Sequence, residues 1–154
     1  QLQHWQREAV KRLDPQALED WLAPALPPTL GAAERRLLGS TVSHNVVFPA
    51  DALPWVAVLF GELPPPEGEL EQVLRQAGPG FFAAALEALD TTGADLKALA
   101  RELKARTGRK GAELYMPLRI ALTGRRDGPE LAPLLAALPD SIIRSRLRAL
   151  ASST

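Results

Sequence analysis

The feature that most constrains the fold of this 154-residue chain is its heavy use of two strong helix formers. Leucine occurs 27 times and alanine 25 times, whereas valine and isoleucine together occur 10 times. Strands favour β-branched and aromatic side chains, which are scarce here, while leucine and alanine favour helices. We therefore predict an all-α fold, and a chain of this length can bury a core without disulfides or metals.

Composition excludes several kinds of site. The chain has no cysteine, which excludes disulfides, thiol nucleophiles and cysteine-ligated zinc, and its two histidines, His4 and His44, are far apart. We expect no metal site. There is no apolar run of the ~18 residues that a membrane helix needs, and no signal peptide, so we expect a cytoplasmic protein with no membrane contact. The first residue, Gln1, is not an initiator methionine, which indicates a fragment or a processed chain.

The formal net charge is zero, but the charges are segregated along the sequence. Residues 49–96 carry eight acids and one base (net −7), and residues 97–126 carry nine bases and two acids (net +7). A basic stretch of this kind favours a polyanion as a ligand. Two alternatives stay open: the stretch docks an acidic protein partner, or it neutralises the acidic stretch of its own chain.

Helical periodicity and proline positions predict ten helices. We place them at residues 2–13, from Pro15 to just before Pro24, and at 32–38, 50–60, 67–77, 79–90, 94–107, 111–123, 129–138 and 141–151. Residues 40–50 hold a β-branched cluster and are predicted to be extended or irregular. The prolines at positions 64–66 remove backbone donors, so we predict two helical subdomains, residues 1–63 and 64–154.

Single residues predict where several helices begin or end. Asp14 and Asp140 are predicted N-caps, with Pro15 in the first turn that follows Asp14. Gly108 is predicted to end its helix in the left-handed conformation. Pro117 must either interrupt the hydrogen-bond ladder of its helix or begin the helix afresh.

Three cations share one side of the helix predicted at 94–107. Lys97, Arg101 and Lys104 are spaced by four and three residues, so they stack along one exposed face and repel each other. A phosphate backbone would relieve that repulsion, whereas a solvated basic face is the simpler alternative. The following turn, Thr107–Gly111, adds Arg109 and Lys110, a weak phosphate signal on its own.

Arg119 is the sole charged residue between Glu113 and Arg125. A guanidinium among apolar neighbours needs a specific partner or must reach the surface along its stem. It pairs with a carboxylate of another helix, or it offers a planar donor fork to a base edge or phosphate; the sequence leaves both open. No Ser/His/Asp set has a recognisable catalytic spacing, so we predict no catalytic residues.

Residues 97–148 resemble the C-terminal anticodon-binding region of bacterial glutamyl-tRNA synthetase, a class I aminoacyl-tRNA synthetase. The residues that carry this resemblance are Lys110-Gly111, then MPLRIALTG and then GPEL. Residues 2–26 are similar to the segment that follows the catalytic core of that family, and residues 31–95 match only in order and length.

The resemblance implies two all-helical subdomains that form an anticodon-binding bundle. The family ligates glutamate to tRNA(Glu) with ATP and Mg²⁺, but neither class I nucleotide-binding signature, HIGH-like or KMSKS-like, occurs in this sequence. Catalysis, ATP and Mg²⁺ are therefore expected in an absent N-terminal portion, and this chain alone is expected to be a non-catalytic monomer without a cofactor.

The resemblance also implies site residues. The base-reading arginines of the family fall on Arg101 and Arg119, and its loop against the anticodon bases falls on Gly128-Pro129 and Leu131. Cations beside them would neutralise phosphates without reading sequence, as physical reasoning also suggests. These are Lys97, Lys104, Arg109 and Lys110.

One position departs from the family pattern. Some members carry an arginine in the first subdomain that selects the third anticodon base and so separates tRNA(Glu) from tRNA(Gln). Asn45 stands there in this chain, and residues 40–50 contain no lysine or arginine. The implied consequence is relaxed selection at that base, with tRNA(Gln) as a possible second partner.

Overall fold

The regular secondary structure of the described residues is helical, as the leucine and alanine content of the chain predicts. The computed structural model describes residues 2–152, and these contain no strand. The all-α prediction is confirmed. Residues 1–61 and 62–154 form two separate units, which are described individually below. No helix in the described part of the chain has the length and apolar character needed to cross a membrane.

The first unit is built from four helices and two short 3-10 turns. The helices are α1 (Leu2–Lys11), α2 (Pro15–Leu22), α3 (Ala32–Val42) and α4 (Leu53–Phe60), and the turns are Ala23–Ala25 and Pro49–Ala52. The Asp14 carboxylate accepts the Ala17 N–H at 2.7 Å, which confirms the predicted N-cap of α2. The fully buried side chains include Leu22, Leu38 and Leu59.

The prediction for residues 40–50 is wrong at its start, because α3 continues through Ser40, Thr41 and Val42. The Thr41 hydroxyl donates to the Leu37 carbonyl at 2.7 Å, and Val42 is completely buried. Burial of this apolar face outweighs the weak helix propensity of β-branched residues, which amounts to less than about 1 kcal/mol per residue. The chain leaves the helix only after Val42, in a turn that leads to the short Pro49–Ala52 turn.

The second unit is built from six helices. They are α5 (Glu69–Ala77), α6 (Pro79–Thr92), α7 (Leu96–Thr107), α8 (Ala112–Thr123), α9 (Leu131–Ala137) and α10 (Asp140–Ala151). Helix α6 packs mainly on α7 and α10, and α8 contacts α5, α7 and α10. Phe82, Leu103, Leu118, Leu134 and Leu147 form the centre of this core, each at most 1% exposed.

Helix ends of the second unit test three predictions. Gly108 ends α7 with φ +75°, which confirms the left-handed C-cap. The N-cap of α10 is Pro139 and not Asp140; the Asp140 carboxylate instead accepts a hydrogen bond from Arg144, one turn along the helix. Helix α8 runs through Pro117 without a restart. The chain direction into α10 therefore comes from Pro139, whose restricted φ suits the extended approach.

Replacing Gly108 by alanine should lower the free energy of unfolding by about 1–2 kcal/mol, because a Cβ is strained at positive φ. Gly80 is the matched control: it lies in the first turn of α6, and beyond its chain neighbours and the backbone of its own helix no atom lies within 4 Å of a Cβ added there. Gly80→Ala should leave stability unchanged or raise it by up to about 1 kcal/mol. Urea unfolding measures both, and equal losses would contradict the assignment of strain to Gly108.

Candidate nucleic-acid interface

The basic stripe, defined as Lys97, Arg101 and Lys104, lies on the solvent side of α7. The opposite side of the helix is buried through Leu99 and Leu103, each 0% exposed. All three cations of the stripe are exposed, and none of their side chains forms a hydrogen bond or ion pair with another described residue. The periodicity of α7 thus holds three uncompensated positive charges along one line of the surface.

Part of the basic stretch is neutralised inside the chain. Arg106 pairs with Glu87 at 2.7 Å and with Glu102 at 3.0 Å, and Arg126 pairs with Glu69 at 2.6 Å. Each such exposed pair contributes about 0–1 kcal/mol to the free energy of unfolding, so its main effect is to neutralise surface charge. The acidic stretch therefore takes up two of the cations and leaves the basic stripe to solvent.

The turn between α7 and α8 separates its two cations. Lys110 is exposed and has no side-chain partner among residues 2–152. Arg109 instead points inward: its Nη2 donates to the Gln76 carbonyl at 2.7 Å, its Nη1 donates to the Glu113 carbonyl at 3.3 Å, and its guanidinium lies 5.7 Å from the centre of the Phe81 ring. Arg109 therefore ties α5, α6 and α8 together.

Pro117 explains why the Glu113 carbonyl is available. In a regular helix that carbonyl accepts the N–H of residue 117, and proline has none. The Arg109 guanidinium supplies the missing donor. The role of Arg109 could not be predicted from the sequence: the i→i−4 rule applied to Pro117 points to the carbonyl at 113, whereas nothing local identifies Arg109 as its donor.

The Arg119 guanidinium hydrogen-bonds to the backbone of a loop, and not to a carboxylate of another helix. Its Nη1 donates to the Pro129 carbonyl at 2.9 Å, so the guanidinium contacts the predicted Gly128-Pro129 loop directly. The Pro129 side chain is buried and Leu131, the first residue of α9, is only 6% exposed. Gly128 is exposed with φ +128°. Arg119 and the exposed backbone of this loop therefore form one continuous surface.

Hydrogen bonds at the C-terminal end of α8 fix the start of that loop. The buried Thr123 hydroxyl donates to the Arg119 carbonyl at 2.8 Å and accepts the Arg125 N–H at 3.0 Å. Gly124 then turns the chain with φ +69°. These contacts start the loop within one turn of Arg119, which places the guanidinium and the loop backbone side by side.

The predicted Asn45 site belongs to the first unit, whereas the other predicted site residues belong to the second. Asn45 is exposed in the turn after α3, and its backbone N–H donates to the Val42 carbonyl at 2.8 Å. The Asp51 carboxylate accepts the N–H groups of Val47 and Phe48 at 2.9 and 2.8 Å, which fixes the segment that follows. The side-chain amide of Asn45 thus projects from a well-defined turn.

Two cations of α10 are held within the unit. Hydrogen bonds to Asp90 and then to Asp140 raise the pKa of Arg144. Burial lowers the pKa of Arg146, whose Nη1 donates to the Leu122 carbonyl at 2.6 Å. Residues 2–152 contain no group of three or more His, Cys, Asp or Glu side chains that could hold a metal ion.

The helices and the exposed cations of α7 define a class: small all-helical domains with a basic stripe on the surface. Comparison with known families makes this specific, because residues 72–151 match the anticodon binding domain family. The chain belongs to this family.

Individual relatives agree with the family assignment. The chain is 47% identical over 148 residues to glutamate–tRNA ligase 2 of Nitrosococcus oceani, which covers 96% of this chain and 31% of that protein. It is 46% identical over 157 residues to glutamate–tRNA ligase 2 of Alkalilimnicola ehrlichii, covering 100% and 33%. The chain therefore spans about a third of the length of these relatives.

A solved structure shares the fold. The crystal structure of a glutamate–tRNA synthetase from Elizabethkingia anophelis superimposes with a TM-score of 0.76, covering 98% of this chain and 31% of that one, at 13% sequence identity. At this identity the likeness concerns the fold, and the resemblance found in the sequence is consistent with it.

Arg109→Met should destabilise the protein by about 1–2 kcal/mol, because it leaves the Gln76 and Glu113 carbonyls without their donor. In a Pro117→Ala background, residue 117 regains its N–H, so the same Arg109→Met change should cost less. Chemical denaturation of the four proteins of this double-mutant cycle measures the coupling. Arg75→Met, which removes an exposed α5 arginine paired with Glu71, is the control. An equal cost of Arg109→Met in both backgrounds would contradict the proposed link to Pro117.

Proposed function

We propose that this chain is the anticodon-reading part of a glutamate–tRNA ligase and that it binds the anticodon loop of tRNA(Glu). One observation carries the proposal: the family match over residues 72–151 contains a cluster of four exposed cations, within residues 97–110, that have no side-chain partner among the described residues. These are Lys97, Arg101, Lys104 and Lys110. A family that binds anticodons and a set of uncompensated charges thus coincide on one part of the chain.

The proposed roles follow from the chemistry of the side chains. Lysine ammonium groups are compact charges that attract phosphates without reading sequence. Arg101 and Arg119 carry planar forks that can donate to the edges of unstacked loop bases. Arg119 uses one nitrogen on the Pro129 carbonyl, which orients the fork and leaves its other N–H groups for a base.

Arg109 fits this scheme as a supporting residue. Two of its nitrogens already donate to backbone carbonyls, so its phosphate role is secondary to holding the turn that carries Lys110. Gly128, Pro129 and Leu131 support the proposal through the loop backbone that they place beside Arg119.

The proposal extends to the longer protein. The relatives are named as glutamate–tRNA ligases, and we infer that a protein containing this chain joins glutamate to tRNA as a monomer in the cytoplasm. ATP and Mg²⁺ would be used by the catalytic portion of that longer protein.

Lys104→Gln and Arg119→Ala should weaken binding of a tRNA(Glu) anticodon stem-loop in different ways. Lys104→Gln should weaken all RNAs alike and reduce the slope of log affinity against log salt by about 1. Arg119→Ala should cost about 1–3 kcal/mol with the cognate loop and relax base preference. Fluorescence anisotropy over a salt series measures both effects.

Two further variants control this experiment. Arg119→Lys keeps the charge but loses the fork, so it should retain the salt slope and lose base preference. Arg148→Gln removes an exposed cation of α10 and should leave affinity unchanged. Cognate binding by Arg119→Ala at wild-type strength would contradict the assigned site. Binding that ignores the anticodon sequence, or tight binding of an acidic peptide in place of RNA, would instead favour a helical protein-interaction module.

Wild-type protein should bind stem-loops with C or with G at the third anticodon position almost equally well. We expect the two binding free energies to differ by less than about 1 kcal/mol, which is below the usual cost of a mismatch at a specific contact. The reason is that Asn45 brings no fixed charge or guanidinium fork to that base. Asn45→Arg should create a preference for C. The same anisotropy assay decides this, and a strong wild-type preference for C would refute relaxed selection and tRNA(Gln) as a second partner.

A further inference from the structure

Tyr115 is an aromatic side chain that the fold of the second unit leaves in solvent. It is 43% exposed, whereas the Phe81 and Phe82 rings are buried at 3% and 1% and pack edge to face. Among the described residues of this unit, Tyr115 is the one large apolar side chain that stands exposed. Packing in the core explains why the two phenylalanines are present, but it does not explain Tyr115.

The position of Tyr115 on α8 relates it to Arg119. Residues four apart in a helix share a face, and helical side chains lean toward the N-terminus of the helix. Tyr115 and Arg119 therefore lie on the same side of α8, one turn apart. The rest of α8 from Pro117 to Thr123 is buried, so the solvent-facing strip of the helix is narrow there and holds this pair.

The ring is presented on a rigid support. The Tyr115 backbone N–H donates to the Gly111 carbonyl at 2.9 Å, in the first turn of α8. Arg109 holds that turn through its bond to the Glu113 carbonyl and anchors it to α5 through the Gln76 carbonyl. A ring on a fixed helical turn loses little conformational entropy on binding a ligand, which favours its use as a contact surface.

The surroundings of Tyr115 select the class of ligand. It follows the Arg109-Lys110 turn by a few residues, precedes Arg119 by one helical turn, and lies in the unit that carries the basic stripe. Aromatic rings interleaved with cations are the usual platform for unpaired nucleic-acid bases, because every base has a face that stacks while the cations attract the backbone. An apolar protein ligand would need a wider exposed apolar surface than this single ring.

We propose that Tyr115 stacks on an unpaired base of the bound RNA loop, next to the base edge contacted by Arg119. This inference rests on the proposed function and deepens it by adding a stacking contact that contributes affinity without adding charge.

Removing the ring should separate this contact from electrostatic ones. Tyr115→Leu keeps an apolar side chain of similar reach and should weaken stem-loop binding about 5- to 150-fold, as expected for the loss of one stacked base. The salt slope should stay unchanged, because no charge is removed. Tyr115→Phe keeps the ring and should bind within about twofold of wild type.

An abasic scan identifies the stacked base. Stem-loops that lack the base at each loop position in turn are titrated against wild type and Tyr115→Leu, and at one position the difference between the two proteins should vanish. Wild-type affinity for Tyr115→Leu would overturn the stacking proposal alone, provided that wild type binds the intact loop. A Tyr115→Leu loss of the same size at every abasic position would also overturn it. Failure of wild type to bind the intact loop would instead refute the proposed function.

Discussion

The rest of the structure depends on how the chain satisfies backbone carbonyls that no helix can satisfy. Prolines and helix ends leave such carbonyls throughout an all-helical fold, and each one costs free energy if it is buried without a donor. In this chain arginine forks supply many of the donors, because one planar guanidinium can reach two carbonyls at once. Arg35, Arg109, Arg119 and Arg146 all donate to main-chain oxygens.

This use of arginine divides the cations of residues 97–126 into two sets. Those that support the fold contact carbonyls or carboxylates within their own unit. Lys97, Arg101, Lys104 and Lys110 are left over, exposed and without side-chain partners in the described part of the chain. A polyanion would meet this second set, and its attraction would come from local charge although the whole chain is neutral. The fold and the proposed interface therefore use largely different cations of one basic stretch, and Arg119 alone serves both, through the Pro129 carbonyl and through its remaining N–H groups.

Much of this arrangement could be predicted from local patterns. The all-α class, the Asp14 cap, the left-handed Gly108 and the exposed basic stripe each follow from composition, spacing or the stereochemistry of one residue. The prediction of an irregular segment from residue 40 failed because Val42 is buried by tertiary packing, and Asp140 is not the cap because Pro139 directs the chain into α10. Both errors arise where a distant contact or a neighbouring residue outweighs a weak local preference.

The sequence by itself determined the helical class, the segregation of charge and the cations that share one face of α7, because these depend on neighbours within a few residues. It also predicted that Pro117 either interrupts the hydrogen-bond ladder of its helix or begins the helix afresh, and the structure shows the interruption. Only the tertiary structure decided that Arg109 donates to the Glu113 carbonyl, that Arg119 donates to the Pro129 carbonyl, and that Tyr115 is exposed to solvent. The partner of a long, flexible side chain depends on which distant elements pack beside it, and helical periodicity carries no information about that packing.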